Sequence, residues 1–204
     1  MSATAVAEAL AIDPTTQQVY ARYPFDTADR AAEIVAQSSV AQRHWRSLSV
    51  EQRCVFLYQM AELLDRDVDA LARSMTHEMG KPIRQARAEV VKTAAALRWY
   101  VNHGPAFLAD QPTTVGAGTI VRFEPLGPVL SIQPWNFPIW QPMRAAMAIL
   151  LAGNTYILKP APNVVGSALL LERLWVESGL PSGLSAVLNA EPTQVADAIA
   201  DPAV

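Results

Sequence analysis

The chain has 204 residues, 51% of them apolar, and 16 Lys+Arg against 19 Asp+Glu give a net charge of −3. That length is one domain or one and a half, with enough chain to bury a full core. A mildly acidic chain without a basic cluster carries no electrostatic footprint for nucleic acid, and a single cysteine, Cys54, excludes a disulfide scaffold and a cysteine-based zinc site.

The N-terminus has no positive charge before Arg22 and no apolar core segment, so it does not read as a secretory signal. A soluble, cytoplasmic protein is the expectation. Residues 1–9 read as a loose lead. The Asp13-Pro14 turn chemistry, followed by Val19, Tyr20 and Tyr23, predicts a short hairpin within 12–25. From Thr27 the period becomes helical, with Ala31, Ile34, Val35, Ser38, Ala41 and Trp45 on one face. Ser49 and Gln52 have capping-box spacing and open a helix with Cys54, Leu57, Ala61 and Leu64 inward. More helix through Leu71 and Met75 stops at Gly80. Pro82 then starts a long helix with an Ala86, Val90, Ala94, Leu97 and Val101 stripe, which His103-Gly104-Pro105 is expected to end. The first half is thus a helical layer whose apolar faces need a partner.

After the Gly116-Ala-Gly118 turn, residues 119–124 alternate like a half-buried strand. Charge then almost disappears. From Pro125 to Leu171 only Arg144 and Lys159 are charged, where about eight charges would be expected at the 17% average of the chain. Five prolines between Pro125 and Met143 rule out a membrane span there. Instead the pattern is strand and helix in alternation: strand 129–132, helix 138–152, strand 155–158, helix 165–178, strand 184–188, helix 193–200. This predicts an α/β fold, a helical layer on an incomplete Rossmann-like parallel sheet. The expected division is 1–110 for hairpin and helices, 111–125 for a bridging strand region, and 126–204 for three strand–helix units.

Chemistry is expected at the carboxyl ends of those strands, where open α/β sheets bind ligands. Between Pro134 and Pro138, Asn136 is either a fixed amide donor for a developing oxyanion or a cap for the next helix. Lys159 ends the second strand and calls for an anionic or hydroxyl-rich partner, unless it reaches solvent. Arg144 is suited to a carboxylate or is simply solvent-facing. His44, His77 and His103 read as helix-surface or capping residues without metal spacing, and Cys54 as a buried structural thiol.

Pro134-Trp-Asn-Phe-Pro138, followed by Leu151-Ala-Gly-Asn154, Leu158-Lys-Pro-Ala161 and Gly179-Leu-Pro-Ser-Gly183, resembles the NAD(P)-dependent aldehyde dehydrogenase superfamily. The resemblance covers nearly the whole chain. The segments 136–144 and 159–163 are most similar to succinate-semialdehyde dehydrogenases. The resemblance implies that Asn136 binds the aldehyde oxygen and that Lys159 bonds the cofactor ribose. It further implies that Ile132, Pro134 and Trp135 line the cofactor groove and that Arg144 grips the distal carboxylate of the substrate. Where NAD-preferring relatives have a glutamate, Pro162 stands, so NADP is expected to be accepted alongside NAD. A small aldehyde substrate and a homo-oligomer joined through a hairpin like 111–124 are implied as well. The family's nucleophilic cysteine, general-base glutamate and Gly-Ser cofactor loop fall after these residues. The chain therefore corresponds to the N-terminal part of such an enzyme and is expected to be inactive alone, with a binding or subunit-pairing module as the alternative. Glu191-Pro192 also stands where the family has a glycine.

Overall fold

A computed structural model describes residues 7–116 and 118–204. Most of the loose lead, residues 1–6, and Ala117 of the predicted turn lie outside the described residues. The predicted hairpin is β1 (Glu8–Ile12) and β2 (Val19–Pro24), paired antiparallel. Residues 8 and 9 therefore belong to a strand, not to the lead. The Asp13 side chain accepts from Thr15 N–H within the turn.

Four helices follow: α1 (Ala28–Trp45), α2 (Val50–Arg66), α3 (Val68–Met79) and α4 (Ile83–Leu108). Their starts follow local chemistry. Thr27 accepts from Arg30 N–H to open α1, and Ser49 and Gln52 form the full capping box of α2. Gly80 ends α3 with φ +73, a left-handed conformation that favours glycine. The predicted end of α4 at 103–105 is incorrect, since the helix continues through Gly104-Pro105 to Leu108. Gly104 is needed for packing: a Cβ there would lie 2.0 Å from Leu151 Cδ2.

The 119–124 strand is also corrected. Only Ile120–Val121 (β4) pairs, with Gln111–Pro112 (β3), and all four residues are exposed. Alternation without an opposing layer buries nothing, so the ribbon stays short. The rest is β5 (Pro128–Ile132), α5 (Trp140–Leu151), β6 (Thr155–Lys159), α6 (Val165–Glu177), β7 (Ser185–Val187) and α7 (Pro192–Ala200). Strands β5, β6 and β7 form one parallel sheet in that order.

The central strand β6 feeds two cores. Tyr156 and Leu158 face α5 and α6, beneath which lie α2, α3 and α4, while Ile157 faces α1 and α7 with Leu188, Ala190 and Val195. The sheet is covered on both faces, which explains its continuous apolar strand sequence. The layers are joined by buried polar links. Ser38 bonds Thr155, Trp45 Nε1 donates to Leu150 O, and Arg53 donates to Leu151 O and Leu48 O. On the outer side of β7, the Glu172 carboxylate accepts from Val187 N–H at 2.7 Å, which partly covers that edge of the sheet. No helix among the described residues is long and apolar enough to cross a membrane.

Candidate functional site

Strands β5 and β6 end side by side. Ile132 is in register with Lys159, and Gln133 N–H donates to Lys159 O at 3.0 Å. Ile132 is 54% exposed and offers an apolar surface beside the lysine. Lys159 is half-buried, and its Nζ donates to Pro160 O at 2.8 Å, its one partner among the described residues. Burial holds its ammonium below the usual lysine range. A partly desolvated cation with N–H donors to spare suits sugar hydroxyls or a phosphate oxygen. Pro162 is exposed in the following turn and brings no carboxylate to it.

The turn after β5 presents Pro134, Trp135, Asn136 and Phe137 to solvent, with Trp135 52% exposed. Surface residues of this kind cannot hold themselves in place, and α5 has no side-chain cap from its own sequence. The restraint comes from the helical layer. Glu89 Oε1 on α4 accepts from both Ile139 N–H and Trp140 N–H at 2.9 Å. Lys81, between α3 and α4, ion-pairs with Glu89 and donates to Asn136 O at 3.0 Å. The same ammonium lies 3.9 Å from the centroid of the Phe137 ring. Lys81 and Glu89 are both buried.

Asn136 does not cap α5, because Glu89 does. The contacts of Lys81 and Glu89 add to the backbone restraint of the two prolines. Neither Lys81 nor Glu89 was expected as a site residue. Glu89 did leave a signal: an acid adjoining Val90 in the otherwise apolar stripe of α4 must find donors when buried.

The turn after β6 uses a similar device. Glu78, at the end of α3, is 2% exposed and accepts from Gly166 N–H, Ser167 N–H, Ser167 Oγ–H and Ser74 Oγ–H at 2.6–3.1 Å. Burial raises its carboxyl above the usual range against the pull of these donors. The N-termini of α5 and α6 are therefore both filled by carboxylates. In doubly wound folds such N-termini take a phosphate, and here neither is free to do so. What this edge offers instead is the exposed apolar surface of Ile132 beside the half-buried ammonium of Lys159. Trp135 and Asn163, one from each turn, also line a cleft of about 370 Å³ with Leu10, Ile12 and Glu78.

Arg144 stands apart from this group. Helix α5 begins at Trp140 instead of Pro138, so Asn136 precedes the helix and Arg144 lies just over one turn into it. Arg144 is exposed and has no ion-pair partner among the described residues. Cys54 is buried on α2, its Sγ–H donating to Val101 O at 3.5 Å, and burial raises its thiol above the usual range. A protonated, inward-facing thiol has the character of a packing residue. His77 pairs with Asp13 at 3.0 Å and stacks on Tyr20, and His103 stacks on Trp99. Both are surface contacts of helices, as the sequence implies.

Comparison with known proteins agrees with this architecture. The model of the aldehyde dehydrogenase family matches residues 2–204. The succinate semialdehyde dehydrogenase [NAD(P)+] Sad of Escherichia coli (strain K12) is 40% identical over 202 residues, covering 98% of this chain and 44% of that protein. The succinate-semialdehyde dehydrogenase [NADP(+)] 1 of Mycobacterium ulcerans is 35% identical, covering 94% of this chain and 43% of that protein. The crystal structure of succinic semialdehyde dehydrogenase from Streptococcus pyogenes in complex with NADP+ superposes with a TM-score of 0.92 and 31% identity, covering 96% of this chain and 43% of that one. The chain thus spans less than half the length of the relatives it matches. Across that span sequence and fold agree throughout, and the chain belongs to the aldehyde dehydrogenase family.

Proposed function

We propose that these residues form the cofactor-binding part of a dehydrogenase that oxidises succinate semialdehyde, or a similar carboxylated aldehyde, to the acid with NADP or NAD. The observation that carries this reading is the pairing of Ile132 and Lys159 at the sheet edge beside the restrained Asn136 turn. The names of the E. coli and Mycobacterium relatives support the substrate and cofactor classes.

Lys159 would donate to the hydroxyls of the adenosine ribose, with Ile132, Pro134 and Trp135 forming the groove wall. Pro162 leaves that ribose without a facing carboxylate, so a 2′-phosphate meets no repulsion and NADP is accepted. When bound, the cofactor supplies the acceptor for the hydride leaving the aldehyde carbon. The Asn136 side-chain amide would donate to the aldehyde oxygen as negative charge builds on it. Arg144 would pair with the distal carboxylate. No residue of this chain is assigned as the nucleophile or general base of the family. Cys54 is the one cysteine of the chain and is buried against α4. The 204 residues alone are therefore assigned no turnover.

In the domain reading, 1–110 and 126–204 make up the cofactor domain and 111–125 a bridge between subunits. Exposure of Val115, Ile120, Val121, Phe123 and Leu126 around that hairpin supports a homo-oligomeric contact.

The test is cofactor titration of the purified chain by calorimetry and by tryptophan fluorescence, for which Trp135 is placed. NADP+ should bind, and Lys159→Ala should weaken binding by about tenfold, the loss of one charge-assisted hydrogen bond. Absence of NADP+ binding would overturn the reading. Turnover of succinate semialdehyde by the purified chain would overturn the claim that it lacks a nucleophile.

A further inference from the structure

The turn from Gln133 to Pro138 raises a question of order. Four consecutive residues are exposed, two of them large aromatics, yet a side-chain amide acting on a reacting oxygen must be held to a fraction of an ångström. We infer that Lys81 and Glu89 are positioning residues for Asn136: a buried ion pair of the helical layer that grips the turn at the carbonyl of that residue and again just after it. The purpose assigned to the grip rests on the oxyanion reading above; its geometry does not.

Three features separate this arrangement from ordinary helix capping. First, the pair holds the turn at two points of opposite polarity. Lys81 takes the carbonyl of Asn136 itself, and Glu89 takes the amides of Ile139 and Trp140. A cap alone would need only the second. Glu78, which reaches from α3 to the start of α6, shows what a cap alone looks like, because its donors are two amides and two serine hydroxyls with no cation attached. Second, the charges satisfy each other as well as the turn, so neither can move without exposing the other as an unpaired buried charge. Third, the ammonium also lies against the Phe137 ring, which ties the residue after Asn136 to the same point. The peptide group that follows the Asn136 side chain is thereby fixed, while the residue remains exposed and available to a ligand.

The experiment uses the full 204-residue chain, labelled with 15N. Amide exchange at Ile139 and Trp140 and the side-chain amide signals of Asn136 are followed in the unmodified protein, Lys81→Met, Lys81→Arg and Glu89→Gln. Lys81→Met should speed exchange at Ile139 and Trp140 at least tenfold and shift the Asn136 side-chain pair toward free-amide mobility. The Asn154 side chain, whose Oδ1 accepts from Leu126 and Gly127 N–H, serves as the internal reference and should not change. Lys81→Arg, which keeps the cation, should restore most of the order. Glu89→Gln keeps an acceptor and should loosen the turn less than Lys81→Met. No step of this readout requires turnover or cofactor, so failure of the oxyanion reading would leave these signals as expected. The inference is overturned if Asn136 is as ordered in folded Lys81→Met as in the unmodified protein, or if Asn154 loosens to the same degree. The second result would mark the pair as a general support of the fold.

Discussion

The turns after β5 and β6 solve one problem with different electrostatics. Each leads into a helix whose N-cap residue, Ile139 or Val164, has no side chain able to accept a hydrogen bond. Each borrows a buried carboxylate from the helical layer, Glu89 from α4 and Glu78 from α3. Glu89 is neutralised by Lys81, whereas Glu78 is surrounded by neutral donors and its carboxyl is raised by burial. The lesson is that a helix N-terminus at the ligand edge of an α/β sheet is not automatically a phosphate site. Here both positive ends are already occupied by carboxylates of the helical layer.

The comparison is most easily broken by deleting each carboxylate. Glu89→Ala leaves Lys81 buried and unpaired and should cost about 3–5 kcal/mol. Glu78→Ala strands neutral amides only and should cost less, about 1–3 kcal/mol. Urea unfolding of the two variants measures the difference, and a larger loss for Glu78→Ala would reverse the interpretation.

An effect smaller than that of Glu89→Ala and similar to that of Glu78→Ala is expected from Gly166→Ala. An added Cβ would lie 2.3 Å from Tyr23 Oη and 2.7 Å from Glu78 Oε1, so the Glu78 clasp must shift at a cost of about 1–3 kcal/mol. Amide exchange should then quicken at position 166 and at Ser167 while Ile139 and Trp140 keep their protection.

The third expectation concerns pH. The folded-state pKa of Glu78 is raised above 4.5, so the folded chain keeps that proton to higher pH than the unfolded chain. Its stabilising contribution is complete below about 4.5 and is lost as pH rises through the raised value. Relative to Glu78→Gln, the unmodified protein should therefore lose stability as pH is raised from 4 to 7. A difference curve from thermal melts that is flat, or slopes the other way, would show that the hydrogen bonds outweigh burial.

The smallest structural effect belongs to Arg144→Ala. With an exposed side chain and no ion-pair partner among the described residues, stability should change by less than about 0.5 kcal/mol. Any consequence should appear only in binding of a carboxylated ligand, measured by calorimetry with succinate.

Much of this architecture was legible in the chain because its signals are local. The helix faces around Ile34, Leu57 and Leu97, the Ser49 capping box, the Gly80 stop and the three short apolar strands all express one segment's periodicity or turn chemistry. The errors share one physical cause. Gly104-Pro105 reads as a helix end, yet packing against Leu151 carries α4 on to Leu108. Residues 119–124 alternate like a strand, yet with no layer to cover them only a two-residue ribbon pairs. In each case a neighbour distant in sequence, present or missing, decided the outcome.

The same division runs through the site. The amino-acid sequence by itself determined where the strands end and that Lys159 stands at one of those ends, because strand ends and isolated charges in an apolar stretch can be read directly. Only the tertiary structure decided what holds those residues. Lys81 and Glu89 lie 55 and 50 positions from their partners Asn136 and Ile139, and Glu78 lies 88 from Gly166. A buried charge needs partners of opposite polarity within about 3 Å, and no local pattern records which distant segment will supply them.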